Sequence, residues 1–344
     1  MIPDLIRSIL AGRDPEPAAV EDALHAIMLG QEEPARIAGL LVALATRPLT
    51  APLLAAAARV LRSHRVVVDP QVRPLVDTCG TGGDGTSTFN ISTAAALVVA
   101  AAGGAVAKHG NRAVSSRVGS ADVLEAAGCA LALDGPTAAG LLDATGFVFL
   151  YAPAFHPAMA HVGPVRRSLG LRTIFNVLGP LANPAAAEHQ LIGVYAPELT
   201  EVMARALGAL GTRAALVVHC AGMDELGLHG VSRGHRLAAG EVTEFALEPG
   251  DVGLSAAPLE ALRGGETAAE NATTLRAVLE GEAGPRGDVV ALNAGAALEL
   301  AGLAVSLRDG VARAQDLLRS GAPARVLQRY AESSQRRKAE AARR

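Results

Sequence analysis

The chain has 344 residues, with 31 basic and 34 acidic side chains, a formal net charge of −3, and a composition that is 50% hydrophobic. The charge balance excludes a broad polyanion-binding surface, and the apolar half excludes a chain that is disordered as its main state. Six Phe and three Tyr with no Trp leave few platforms for stacking single-stranded bases.

In chain order, apolar residues recur at helical spacing over Ile2 to Ala11, Ala18 to Leu29, Ala35 to Thr46 and Pro52 to Ser63, separated by proline and glycine. They predict a small all-helical domain over residues 1–70. From Val66-Val67-Val68 and Pro74-Leu75-Val76-Asp77 the pattern changes to short β-branched runs, glycine-rich loops and alanine-rich helices, the alternation of an α/β domain. Further strands are expected at Ala105 to Ala107, Phe147 to Tyr151, Gln190 to Tyr195 and Ala214 to His219. The intervening and following helices are Ala121 to Ala127, Thr137 to Ala144, Leu199 to Leu210, Ala268 to Leu279, Asp288 to Leu300 and Gly310 to Arg319. Between Pro157 and Pro184 the reading turns helical again, so residues 155–187 are expected to rejoin the helical domain. Residues 71–344 then form the large α/β domain, with a frayed basic tail after residue 332.

Cys79, Cys129 and Cys220 are odd in number and far apart, which fits reduced thiols in a cytosolic compartment. Asp4 and Arg7 interrupt the first apolar stretch, and the run from Ala94 to Ala107 falls short of the ~20 residues of a spanning helix. The expected location is the cytoplasm.

Four segments carry chemistry. In Val76-Asp77-Thr78-Cys79-Gly80-Thr81-Gly82-Gly83-Asp84-Gly85 a strand runs into a glycine loop, and a helix opens at Asn90-Ile91-Ser92-Thr93. Such a loop lets backbone amides approach phosphate oxygens beside a helix N-terminus. Gly80, Gly82 and Gly85 formally satisfy a dinucleotide-binding spacing. Against that reading, the second strand ends in Lys108-His109 where an acid for the ribose would stand, and Asp84 would repel pyrophosphate unless it serves hydroxyls, amides or a metal shell.

The second segment, Lys108-His109-Gly110-Asn111-Arg112 through Ser115, Ser116 and Ser120 to Asp122, supplies cations, an amide and hydroxyls at the carboxyl end of a strand, a set suited to several phosphates. Of the 31 basic residues only Lys108 and Lys338 are lysines, and Lys338 lies in the tail. Third, Asp224 and Glu225 follow a strand end as paired carboxylates able to share hydrated Mg²⁺ with phosphate oxygens. Fourth, His156 to Arg167 and Arg172 to Pro184 offer Arg166 or Arg167 for a carboxylate, and sequence alone leaves that choice open. His109, His156 and His161 lack a triad pattern and read mainly as packing or hydrogen-bonding residues.

Taken together, these strings resemble the anthranilate phosphoribosyltransferase family. Asn176-Val177-Leu178-Gly179-Pro180-Leu181, Gly264-Gly265, Glu270-Asn271-Ala272 and Leu292-Asn293-Ala294 carry the likeness along most of the chain. The resemblance implies a small all-helical domain hinged to a larger α/β domain with a mostly parallel central sheet, as in nucleoside phosphorylases, and a homodimer. It also implies transfer of 5-phosphoribosyl from 5-phosphoribosyl 1-pyrophosphate (PRPP) to anthranilate in tryptophan biosynthesis, with Mg²⁺.

Carried over by position, the PRPP contacts are Gly80, Gly83, Asp84, Thr88, Asn90, Ile91, Ser92, Thr93, Lys108, His109, Gly110, Asn111, Arg112, Ser115, Ser116 and Ser120. Anthranilate falls to Gly80, Asn111 and Arg166, the metal to Ser92, Asp224 and Glu225, and the catalytic roles to Lys108, Asp84, Asp224 and Glu225. Gly227 departs from the serine the family often has after the acidic pair, which bears on local loop packing. The alternatives are a pyrimidine nucleoside phosphorylase and a non-catalytic nucleic-acid-binding relative, the latter suggested by the tail residues Arg336, Arg337, Lys338, Arg343 and Arg344.

Overall fold

A computed structural model describes residues 1–113 and 118–341. The amino-terminal layer consists of α1 (Ile2–Leu10), α2 (Pro17–Met28), α3 (Pro34–Ala45) and α4 (Ala51–Ser63). Each helix carries a proline in its first turn, where the missing N–H would have no intrahelical partner anyway. Their apolar stripes, including Leu24, Ile27, Leu40, Leu41, Leu44 and Leu54, form one fully enclosed core. That core is shared with Val162, Phe175, Val177 and Leu178, so side chains of the segment after residue 155 pack on these helices.

The rest is built on a seven-stranded sheet of order β3-β2-β1-β4-β5-β6-β7. The parallel strands are β1 (Leu75–Asp77), β2 (Ala105–Gly110), β3 (Phe147–Tyr151), β4 (His189–Gly193) and β5 (Ala214–Cys220). Antiparallel β6 (Ser232–Ala238) and β7 (Glu241–Leu247) complete it. The crossovers begin with α5 (Ile91–Ala101), α6 (Ser120–Ala126) and α7 (Gly135–Thr145). After β3 come the short α8 (Ala152–Phe155), α9 (Gly163–Leu169) and α10 (Phe175–Leu178), and α11 (Leu199–Ala209) joins β4 to β5. The chain closes with α12 (Ala268–Leu279), α13 (Pro285–Leu300), α14 (Leu307–Arg319) and α15 (Ala322–Ala341).

The chain winds outward from β1 through β2 to β3, then crosses to β4 and β5 on the other side. The strand order therefore reverses between β1 and β4, and a crevice opens at their carboxyl ends.

The structure differs from two expectations and adds one element. Val66 to Val68 is not a strand; its amides reach Phe155 O at 2.8 Å and Pro184 O at 3.4 Å, tying the end of the helical layer to the segments after β3 and before β4. The tail is not frayed over its described length, because α15 buries Val326, Leu327, Tyr330 and Ser334. The hairpin β6–β7 was not expected: Ser232-Arg233-Gly234-His235-Arg236 is polar, and its two-residue turn uses Ala239 and Gly240, both at positive φ (49° and 82°). The half-exposed outer strands carry Arg233, Arg236, Glu241 and Glu244, which protect the sheet edge rather than advertise a strand.

Two buried imidazoles join the layers. His109 and His156 lie with ring centroids 5.2 Å apart, and the Nδ1 of His109 is 3.0 Å from Gly179 O. Burial pushes His109 down to about 3 and His156 down to about 4. Their folded values are depressed, so the stability they contribute is complete above the unfolded value near 6.5 and is lost as pH falls toward about 4. Between pH 7 and pH 5 each histidine should cost about 2 kcal/mol of unfolding free energy. Urea titrations at the two pH values should show the fall, and His156→Gln should flatten it; an equal slope in the variant would refute the assignment.

Candidate active site

The glycine loop leaves β1 and is stitched to the neighbouring strand ends. Thr81 donates its amide to Gly193 O at 2.9 Å, and Tyr195 donates its amide to Thr81 Oγ1 at 3.1 Å. Gly82, Gly83 and Gly85 have φ of 65°, 77° and 77°, a run of left-handed residues only glycine adopts without strain. Arg172 donates to Gly83 O and stacks its guanidinium 4.1 Å from the Tyr195 ring centroid. The loop is therefore also held from the segment between α9 and α10, a contact the sequence reading missed.

Carboxylates gather against this loop. Gly82 donates its amide to Asp224 Oδ2 at 2.7 Å. Asp84 takes the Asp224 amide at 3.2 Å and the Thr86 amide and hydroxyl at 3.1 and 2.7 Å. Asp84 thus serves amides and a hydroxyl, the condition on which a carboxylate in such a loop was acceptable. Ser92, at the start of α5, favours the charged form of Glu225.

Burial, then the charges of Asp84 and Glu225, push the Asp224 carboxyl well above the usual range. Glu225 is pushed up to about 7, chiefly by burial, against the pull of Lys108. Beneath them Asp77 is fully buried and raised to about 6 by burial, although it accepts from Asn183 Nδ2 at 2.7 Å and the His109 amide at 3.1 Å.

Lys108 lies under the loop, not on its surface. It is 2% exposed, and its Nζ donates to Thr78 O at 2.8 Å and Ser92 Oγ at 3.2 Å. Next along β2, His109 points to the opposite face and is not brought to this cluster; strand alternation forces that. Arg112 is paired with Asp122 and Glu125, at 2.7 and 2.8 Å, which hold its guanidinium above its ordinary value.

The side chains of Ile91 and Thr93 are buried in α5. Thr88 bridges to Arg263, and Gly110 packs against Ser120 Oγ and Phe149. Asn90 is the N-cap of α5, while Asn111 accepts the Arg112 amide at 2.8 Å and Ser120 donates to Asn111 O at 3.3 Å. Ser115 and Ser116 lie outside the described residues.

Arg166 and Arg167 separate clearly. Arg167 is exposed, whereas Arg166 is half-buried, 5.6 Å from the Phe175 ring centroid, and has no ion pair among the described residues. Burial lowers its pKa, so it lacks the anion that would offset the lost water.

Distant motifs meet the site through the backbone. Asn293 on α13 donates to Leu226 O at 2.9 Å and accepts the Leu226 amide at 3.1 Å, clamping the residue that follows the acidic pair. Asn271 closes the Gly264-Gly265 turn, whose Gly264 amide reaches Ser87 O at 3.0 Å. At Gly227 an added Cβ would lie 2.6 Å from Cys220 Sγ, so the departure from serine is matched by this chain's own packing.

Among the described residues no three His, Cys, Asp or Glu side chains are arranged to hold a metal alone. Ser92, Asp224 and Glu225 still suit a hard cation. Crowded, proton-retaining carboxylates are relieved by a divalent charge, and Mg²⁺ takes only one or two carboxylates, leaving its other positions to water and phosphate.

Comparison with known proteins agrees with this architecture. Residues 3–65 match the family model described as glycosyl transferase family, helical bundle domain, and residues 72–324 match glycosyl transferase family, a/b domain. An anthranilate phosphoribosyltransferase of Symbiobacterium thermophilum is 50% identical over 98% of this chain and 99% of its own length. The crystal structure of anthranilate phosphoribosyltransferase from Thermus thermophilus superposes with a TM-score of 0.90 at 46% identity, covering 96% of this chain and 99% of that one. The Saccharomyces cerevisiae enzyme in complex with PRPP and Mg does so with a TM-score of 0.88 at 29% identity, over 97% of this chain and 98% of that one. On its sequence, its fold and the loops that meet at its sheet reversal, the chain belongs to the anthranilate phosphoribosyltransferase family.

Proposed function

We propose that the chain transfers the 5-phosphoribosyl group of PRPP to the amine of anthranilate, yielding N-(5-phosphoribosyl)anthranilate and pyrophosphate in tryptophan biosynthesis. The observation that carries this reading is the junction of the glycine loop with Ser92, Lys108, Asp224 and Glu225 at the point where strand order reverses. In the reaction the amine nitrogen bonds to ribose C1, the bond from C1 to the pyrophosphate oxygen breaks, and the nitrogen's surplus proton leaves to solvent.

Anthranilate's amine is a weak neutral nucleophile, so the residues act mainly on the leaving group. Loop amides from Gly80 to Gly85 and the α5 amino terminus face the pyrophosphate, with Lys108 supplying positive potential from below. Asn111, Ser120 and the loop through Ser115 and Ser116 are assigned to the phosphoribosyl part. Arg166, with Asn111 and Gly80, is assigned to anthranilate, whose carboxylate fits a guanidinium that has no ion pair among the described residues. Mg²⁺, held by Ser92, Asp224 and Glu225, would supply charge neutralisation at the phosphates when bound.

No helix among the described residues is long and apolar enough to cross a membrane. We read the enzyme as cytoplasmic. We further read residues 1–70 with about 155–187 as a small helical domain hinged to the remainder, and the functional unit as a homodimer through the helical domain.

The direct test is loss of anthranilate fluorescence on mixing protein, Mg²⁺, PRPP and anthranilate; phosphorolysis of uridine or thymidine without that loss would reverse the assignment. Lys108→Ala, and Asp224→Asn with Glu225→Gln, should each reduce kcat/KM by about a hundredfold or more with unchanged circular dichroism. Lys108→Arg should be nearly as damaging, because a planar guanidinium cannot enter a site enclosed by Thr78 and Ser92; near-normal kinetics would contradict the role. Arg166→Ala should raise the KM for anthranilate about tenfold or more and leave that for PRPP little changed, whereas Arg167→Ala should change neither. Steady-state kinetics with each substrate varied separately decide this.

A further inference from the structure

The acidic pair sits on a turn that is unfavourable by itself. Ala221 has φ 42° and Gly222 φ 97°, and the turn is closed by Met223 N to Cys220 O at 2.8 Å and Cys220 N to Met223 O at 2.9 Å. A non-glycine residue in the left-handed region costs free energy and persists only where its surroundings over-determine it. On one side the clamp of Asn293 on Leu226 does this. On the other side stands His219, the last residue but one of β5.

The Nδ1 of His219 lies 2.8 Å from Val194 O, and its Nε2 lies 3.0 Å from the Gly222 nitrogen. A carbonyl can only accept and an amide N–H can only donate, so both contacts are satisfied by one form alone: neutral imidazole with the hydrogen on Nδ1. The ring thereby ties the turn carrying Asp224 to the end of β4. The same strand end holds the glycine loop through Gly193 O and the Tyr195 amide. The approach is close, since a Cβ on Gly193 would sit 1.4 Å from Asp224 O.

We propose that His219 is a positioning residue for the metal and pyrophosphate site: its ring, oriented by Val194 O, accepts the Gly222 amide, holds the Cys220 to Met223 turn and so sets where Asp224 and Glu225 stand relative to the glycine loop. It need not touch substrate. Its effect is exerted through the Gly222 amide, and it rests on the reading of Asp224 and Glu225 as ligands of a Mg²⁺ shared with PRPP.

Two substitutions separate the two contacts. His219→Asn keeps a donor near the Nδ1 position for Val194 O but cannot reach Gly222; His219→Gln places an amide oxygen near the Nε2 position and can accept from the Gly222 amide. PRPP binding, measured by calorimetry without anthranilate while Mg²⁺ is titrated, reads the site independently of turnover. His219→Ala and His219→Asn should raise the Mg²⁺ concentration for half-maximal PRPP binding by about tenfold or more, as expected for a residue that orients ligands, and His219→Gln should recover to within about threefold of wild type. Hydrogen exchange should quicken over residues 220–227 in the first two variants and not in the third, with the anthranilate KM unchanged in all.

Wild-type protein that shows no Mg²⁺-dependent PRPP binding would overturn the functional reading itself. Wild-type binding with all three variants titrating alike would overturn the role of His219 alone. Equal loss in all three with lowered melting temperatures would make His219 a packing residue and would overturn it as well.

Discussion

Beneath the glycine loop one buried ammonium faces one buried carboxylate, Asp77, and the half-buried carboxylates of Asp84, Asp224 and Glu225. Lys108 is the cation that offsets both Asp77 and Glu225, while Asp84 and Asp224 crowd the same recess, where the charge of Asp84 raises the proton affinity of Asp224. Charges removed from water are tolerable only when hydrogen-bonded or paired. Much of the surrounding backbone geometry follows from that requirement: Gly82 points its amide at Asp224, Asn183 and the His109 amide serve Asp77, and Thr78 turns its carbonyl to Lys108. A recess with surplus negative charge on one wall and amide donors on the other suits a divalent cation carrying a phosphate ester.

This arrangement needs backbones in unusually close approach. The ends of β1, β4 and β5 converge so tightly that side chains at Gly80 or Gly193 would collide with Asp224. The same closeness lets single residues from distant segments hold the site: Arg172 at the glycine loop, Asn293 behind Leu226, and His219 under the acidic turn. Contacts with the helical layer run nearby, through the paired imidazoles of His109 and His156. Motion of one layer against the other would therefore be felt near the glycine loop.

Much of this was legible from the chain because it is carried by local pattern. Proline and glycine between stretches of apolar periodicity, and glycines in a strand-to-helix loop, announced the four amino-terminal helices and the α/β alternation, since each reflects a backbone constraint acting within a few residues. The hairpin of β6 and β7 escaped because its strands are polar and its turn uses alanine at positive φ, a conformation imposed by pairing rather than by propensity. The helical tail escaped because its apolar stripe of Val326, Leu327 and Tyr330 is sparse among charges and has meaning only against α5 and α7.

Within the site, residue types and the order of the motifs were determined by the sequence itself: a glycine loop, a lone internal lysine, an acidic pair, and the family these identify. Tertiary structure alone decided what each side chain faces. Lys108 and His109 are adjacent letters, but strand alternation sends one under the loop and the other into the layer contact. Arg166 and Arg167 are the same amino acid, but only one is drawn partly out of water without an anion. Arg172 and His219 carry no sequence signal, because the hydrogen bonds they make here are to backbone atoms of Gly83, Val194 and Gly222. A peptide carbonyl or amide is the same whichever residue bears it, so such contacts exist only once the chain is folded.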